Sequence, residues 1–126
     1  MLRRLIPPQI HGWLDDAVVL TYLIGAFILK LGGTAMTIAL GGALVHFILS
    51  RFTHYPQGYV KLIPFRVHAF IELAEGLAVL GCAWSLLDRS HMGPIVFFTF
   101  LGLSQVVAFL FSDYRWPLPE RGDAAA

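Results

Sequence analysis

At 126 residues the chain has room for a single domain, and 57% of its residues are hydrophobic while only 13% are charged. Soluble domains carry about twice that charged fraction, so the composition excludes an ordinary soluble domain and indicates an integral membrane protein. The net charge of +1 comes without a basic block, which argues against nucleic acid as a partner, and the single cysteine excludes an internal disulfide.

Four apolar stretches follow one another along the chain. Each is long enough for a membrane-spanning helix, the first with the help of its polar lead-in. Because lipid offers no partners for free backbone groups, helices are the expected structure. We therefore predict an all-α fold with four transmembrane helices. The predicted spans cover residues 17–31, 33–52, 67–87 and 94–112, and residues 120–126 are expected to form a disordered tail.

Lysine and arginine residues lie mainly on one side of the predicted spans. That side carries Arg3, Arg4, Arg51, Lys61, Arg66, Arg115 and Arg121, whereas the other carries Lys30 and Arg89. This bias predicts a protein of the bacterial cytoplasmic membrane, with both termini in the cytoplasm. Aromatic residues near the same side are expected to be interfacial anchors, namely Trp13, Tyr55, Tyr59, Tyr114 and Trp116.

Two segments of the chain share one pattern at an offset of 57 residues. Residues 5–15 read Leu-Ile-Pro-Pro-Gln-Ile-His-Gly-Trp-Leu-Asp, and residues 62–72 read Leu-Ile-Pro-Phe-Arg-Val-His-Ala-Phe-Ile-Glu. The pattern indicates two αα-hairpin repeats that cover about residues 5–52 and 62–112. Because each repeat holds two spans, both enter the membrane from the same side, related by a pseudo-two-fold axis along the membrane normal.

Each repeat places a histidine and a carboxylate four residues apart on one helical face. His11 precedes Asp15 in the first repeat, and His68 precedes Glu72 in the second. Two further ionisable residues lie inside predicted spans, namely His46 and Glu75. Ionisable groups are costly in lipid, so we expect this polar cluster to face the interior of a four-helix bundle.

Three interpretations of the cluster remain open. Imidazole nitrogens and carboxylate oxygens suit a divalent metal such as zinc, manganese or iron. The metal ligands would then be His11, Asp15, His68 and Glu72. Exchange of protons between histidines and carboxylates would suit proton-coupled transport, whereas hydrogen bonding between helices would be purely structural. Haem ligation by His46 with a repeat histidine is not expected, because acids lie beside those histidines.

Residues 44–87 resemble the small four-helix bacterial membrane proteins related to the Ser-Pro-Trp (SPW) repeat family. The shared features are a His-x-x-x-acid helix start, a loop with Thr53, Tyr55 and Gly58, and the Lys-Leu-Ile-Pro run at 61–64. The Ser-Pro-Trp signature is absent, and residues 83–85 read Ala-Trp-Ser, so the chain resembles a relative of the core family. The resemblance implies a four-helix membrane fold, and since the family has no assigned activity it implies no catalytic residues.

The connections between the predicted spans are short, so little of the chain lies outside the membrane to enclose a substrate. We therefore favour a non-enzymatic accessory or binding module over an enzyme. Four short spans also leave few interior positions. The expected partners are the lipid bilayer and either further copies of the chain, as a homo-oligomer, or a larger membrane complex.

Overall fold

A computed structural model describes residues 4–117 as an all-helical assembly of four helices. The helices are α1 (Pro8–Ile28), α2 (Gly33–Arg51), α3 (Phe65–Leu86) and α4 (Met92–Phe111). Two very short strands, β1 (Thr53–His54) and β2 (Ile63–Pro64), lie between α2 and α3 and pair in parallel. The predicted tail at 120–126 lies outside the described residues.

Proline and glycine set the helix boundaries. Pro7 and Pro64 precede α1 and α3 with extended backbones, and their fixed φ and missing N–H suit a helix start. The chain reverses between α1 and α2 through Lys30 and Gly33, which have φ of 51° and 53°. Since this left-handed turn ends α1 at Ile28, the predicted end at residue 31 is three residues too late.

Three helices are long and apolar enough to cross a membrane, namely α2, α3 and α4. Helix α1 has 21 residues but falls outside this group, because its first half carries His11, Asp15 and Asp16. Many large apolar side chains point outward from the bundle, which is the arrangement that surrounding lipid favours. The structure therefore shows a helical protein with three candidate membrane spans.

The helices pack as two hairpins, α1 against α2 and α3 against α4. The close approach of α3 to α4 depends on Gly76 and Gly102, because a Cβ on Gly102 would lie 2.7 Å from the carbonyl oxygen of Gly76. Between the hairpins, α2 contacts α3, whereas α1 and α4 barely touch. The bundle thus has a closed seam, where α2 packs against α3, and an open seam, where α1 and α4 stay apart.

The segments that lead into α1 and α3 make matching contacts with the ends of the other hairpin. Ile63 pairs in parallel with Thr53, and Ile6 pairs in parallel with Ser112. In both places the isoleucine amide donates to the carbonyl of the residue before its partner, at 2.8 and 3.0 Å. These pairings place the first turns of α1 and α3 beside each other, where the polar residues lie.

Candidate functional site

The first turns of α1 and α3 bring the two repeat histidines together. His11 and His68 are both fully buried, and their Nε2 atoms lie 3.3 Å apart. Each histidine stands four residues after the proline that precedes its helix. The matched helix starts therefore direct the two imidazoles at one point in the bundle interior.

Asp15 and Glu72 lie one turn further along the same helices and surround that point. The His11 Nε2 atom is 3.3 Å from Asp15 Oδ1 and 3.4 Å from Glu72 Oε2. The His68 Nε2 atom is 3.4 Å from Asp15 Oδ2 and 3.9 Å from Glu72 Oε2. One ligand atom from each of the four residues lies within 4.8 Å of all the others, so this group could hold a metal ion. We call these four residues the His–carboxylate cluster.

The Nδ1 atoms of both histidines, which point away from the cluster, are hydrogen-bonded to hydroxyl groups. Thr53 Oγ1 lies 2.8 Å from His68 Nδ1 and donates its own proton to the Leu49 carbonyl at 2.6 Å. Because a hydroxyl has one proton, Thr53 accepts the hydrogen bond from His68 Nδ1–H. Neutral His68 therefore carries its lone pair on Nε2, which faces the cluster. Ser112 Oγ takes the matching place at 2.6 Å from His11 Nδ1.

Two tyrosines donate to the carboxylates of the cluster. The Tyr55 hydroxyl donates to Asp15 Oδ2 at 2.6 Å, whereas the Tyr114 hydroxyl shares its proton between Glu72 Oε2 at 3.5 Å and the Ala108 carbonyl at 3.4 Å. Burial, reinforced by the adjacent carboxylate, raises the pKa of both phenols above the ordinary tyrosine value, so both remain proton donors. The prediction that these two tyrosines are interfacial anchors is wrong, because Tyr55 is fully buried and Tyr114 is 5% exposed, so neither side chain can reach a membrane interface.

The hydroxyl and tyrosine partners were missed, although the sequence holds a signal for them. Residues 52–55 read Phe-Thr-His-Tyr, and residues 111–114 read Phe-Ser-Asp-Tyr. This second duplicated pattern has an offset of 59 residues, whereas the histidine pattern has an offset of 57. The loop after α2 and the segment after α4 fold back over the helix starts, which turns both tyrosines inward.

His46 connects the cluster to the remaining carboxylate. It is fully buried, and its Nε2 lies 3.3 Å from Asp15 Oδ1 while its Nδ1 lies 2.8 Å from Glu75 Oε2. The other carboxylate oxygen of Glu75 has no hydrogen-bond partner among residues 4–117. The structure thus brings together all six polar residues singled out in the sequence, and Glu75, which lacks a nearby lysine or arginine, has a histidine as its partner.

Basic side chains stay outside the site. Arg51 pairs with Asp16 and lies over the ring of Tyr59, and Arg115 pairs with Asp113 at 2.6 Å. The guanidinium of Arg115 lowers the pKa of the Asp113 carboxyl below its ordinary value. Within residues 4–117, the three buried carboxylates of the site therefore form ion pairs with histidines alone.

Comparison with family models, curated proteins and solved structures found no match to this chain. The resemblance to relatives of the SPW repeat family therefore stays a prediction, and the case for function rests on the geometry of the site. That geometry is two imidazoles and two carboxylates around one point, each with an outer hydrogen-bond partner.

Proposed function

We propose that the protein is a small integral membrane module that binds one divalent metal ion, with zinc as the expected ion. The four ligands are His11, Asp15, His68 and Glu72. The mutual distances of their ligand atoms carry the proposal, because tetrahedral zinc with bonds of about 2.0–2.1 Å needs ligand atoms about 3.3 Å apart. The two imidazole nitrogens lie 3.3 Å apart, and the His11 nitrogen lies 3.3 Å from Asp15 Oδ1 and 3.4 Å from Glu72 Oε2. The His68 nitrogen is 3.4 Å from the other Asp15 oxygen and 3.9 Å from Glu72 Oε2, and one ligand atom from each residue lies within 4.8 Å of all the others, so small side-chain movements would close the four ligands on one ion.

The balance of buried charge supports a divalent ion. Asp15 and Glu72 are buried, the Glu75 side chain is 7% exposed, and all three carboxylates have histidines as their only ionic partners among the described residues. A divalent ion, together with His46 protonated between two carboxylates, supplies three positive charges. If histidines alone compensated the three carboxylates, both His11 and His68 would have to be protonated, and their N–H groups would point at each other across 3.3 Å. Buried charge is costly unless it is compensated, which favours the ion.

The outer partners support the same proposal. Metal ligands in proteins usually hydrogen-bond to a further group that fixes their orientation. Here each ligand has one, and these partners are Ser112, Tyr55, Thr53 and Tyr114. Four protein ligands without an open position are typical of structural zinc sites. We therefore propose that the ion fastens the two hairpins to each other and that the protein is a binding module rather than an enzyme.

Metal analysis tests this proposal directly. After purification in mild detergent, we expect about one zinc ion per chain, and replacement by Co²⁺ should give the strong visible absorption of a tetrahedral site. The His91→Ala variant is the control, because His91 has a side chain that is 79% exposed, away from the cluster, and should leave the metal content unchanged. Protein that is folded but holds no stoichiometric metal, and gives no cobalt spectrum, would disprove the site.

We also propose that α1 spans the membrane, which gives four transmembrane helices arranged as two parallel hairpin repeats. The matching pairs Ile63–Thr53 and Ile6–Ser112 support the repeat. Helix α1 buries His11 and Asp15 inside the bundle, so lipid would not meet them. The distribution of Lys and Arg supports a cytoplasmic location for both termini in a bacterial membrane. Association with further copies or with a larger membrane complex stays a prediction.

Cysteine labelling tests the orientation. With Cys82 replaced by serine, a cysteine introduced at Gly32 should react with an impermeant maleimide in intact spheroplasts, because the α1–α2 turn is expected outside. A cysteine introduced at Tyr59, in the α2–α3 loop, should react only after permeabilisation. Both positions are exposed, so accessibility within the protein is matched. The reverse pattern would contradict the orientation. If both cysteines are labelled from the same side, α2 does not cross the membrane.

A further inference from the structure

A cavity of about 490 Å³ lies in the open seam between α1 and α4. Its walls are apolar, with Leu14, Val18 and Leu101 among the lining residues, and its polar lining includes Asp15, Glu72 and Gln105. This volume is within the range of about 300–1,000 Å³ that small-molecule sites occupy. The cavity therefore connects an apolar passage to the carboxylates of the cluster.

A difference between the two hairpins leaves this space open. In the closed seam, the buried pair His46–Glu75 fills the gap between α2 and α3. At the matching positions the other seam has Gln105, which lies 59 residues after His46, and Val18, which lies 57 residues before Glu75. Valine and glutamine do not form such a pair, and both line the cavity.

The mouth of the cavity opens on the apolar outer surface of the bundle, beside α4. Phe100, Leu103 and Val107 line it, and all three are exposed on the surface of α4, which is long and apolar enough to cross a membrane. Leu14 of α1 is exposed on the opposite rim. A molecule that enters here would come from the hydrocarbon part of the bilayer, so its body should be lipid-soluble.

The inner end of the cavity offers hydrogen-bond acceptors. Gln105 is fully buried, and its amide nitrogen donates to the Tyr22 hydroxyl at 3.3 Å, but within the described residues its Oε1 has no partner. The contacts of the Glu72 carboxylate all use Oε2. A buried acceptor without a donor is unfavourable, so the group missing from this end of the cavity is a hydrogen-bond donor.

We propose that the cavity binds a lipid-soluble molecule with a hydroxyl head group, whose O–H donates to Gln105 Oε1 beside the Glu72 carboxylate. A charged head group would have to pass the apolar walls of the cavity, which is costly, whereas a neutral hydroxyl would not meet this cost. This inference goes beyond metal binding and does not require it, because the cavity and its acceptors belong to the protein alone.

Binding of 1-dodecanol, compared with dodecyl methyl ether, tests the inference in lipid nanodiscs. The ether keeps the chain and the oxygen but lacks the donor. The chain has three glutamines, so the side-chain amide of Gln105 can be followed by NMR after glutamine labelling. We expect a saturable shift of this signal with the alcohol and at least about tenfold weaker binding of the ether, a difference that corresponds to the loss of a buried hydrogen bond.

Variants show whether the signal reports the cavity. Val18→Phe should fill the space and abolish binding, whereas Val96→Phe, the same change at an exposed position of α4 outside the cavity, should not.

If Val18→Phe does not fold, the Gln105→Met variant decides. Its binding is followed by the thermal stabilisation that each probe gives, and this variant should no longer prefer the alcohol over the ether. Equal binding of the two probes to the wild type, or a preference that survives Gln105→Met, would overturn the proposal. Repeating the titration after chelation separates this result from that of the metal site.

Discussion

His68→Ala is expected to lower the affinity for zinc about 100- to 1,000-fold. Structural zinc sites in zinc-finger peptides bind with about 10–16 kcal/mol at neutral pH, so each of four ligands accounts on average for about 2.5–4 kcal/mol, and about 1.4 kcal/mol corresponds to a factor of ten. His68 has the lone pair of its Nε2 directed at the cluster, since its Nδ1 donates to Thr53. Competition with a chromophoric chelator in detergent measures the change.

Matched variants make the result specific. His11→Ala should have the same effect, because His11 also contacts both carboxylates and an outer hydroxyl. Thr53→Val removes only the outer partner of His68 and should cost about 10- to 100-fold. His91→Ala should have no effect. If the wild-type protein holds no metal and His68→Ala still lowers the thermal stability, the histidines serve helix packing and the metal proposal fails.

Much of the site could be predicted from the sequence because its signal is local. A histidine and a carboxylate four residues apart must share a helical face, and their duplication in a chain with few charges places them inside a membrane bundle. The helices follow from apolar length and from Pro7 and Pro64 at their starts. The first span was harder, because the polar residues that build the site are the ones that lower its hydropathy.

The remaining parts of the site depend on the path of the chain between helices. Tyr55 and Tyr114 face inward only because the segments that carry them return over the helix starts, held by parallel pairs of one or two residues. Such short pairings have no sequence periodicity. The contact of His46 with Glu75 joins helices of different hairpins, and a separation of 29 residues between them has no local signal in the sequence.

His46→Gln is expected to reduce the free energy of unfolding by about 3–5 kcal/mol, because removal of one partner leaves a buried carboxylate uncompensated. Glu75 would lose the imidazole at 2.8 Å, and its Oε1 already has no partner among residues 4–117. Equilibrium unfolding in mixed micelles of a mild detergent and dodecyl sulfate measures the loss.

The other hairpin supplies the variant that should recover this loss. It has glutamine and valine at the positions that match His46 and Glu75, so His46→Gln combined with Glu75→Val gives both seams the same uncharged residues. The double variant removes one positive and one negative charge and leaves the proposed ion with the two cluster carboxylates, still balanced. We expect it to regain most of the lost stability and to keep one zinc ion per chain. Additive destabilisation by the two changes would mean that the pair contributes through packing rather than charge. The balance of buried charge would then no longer support the metal site.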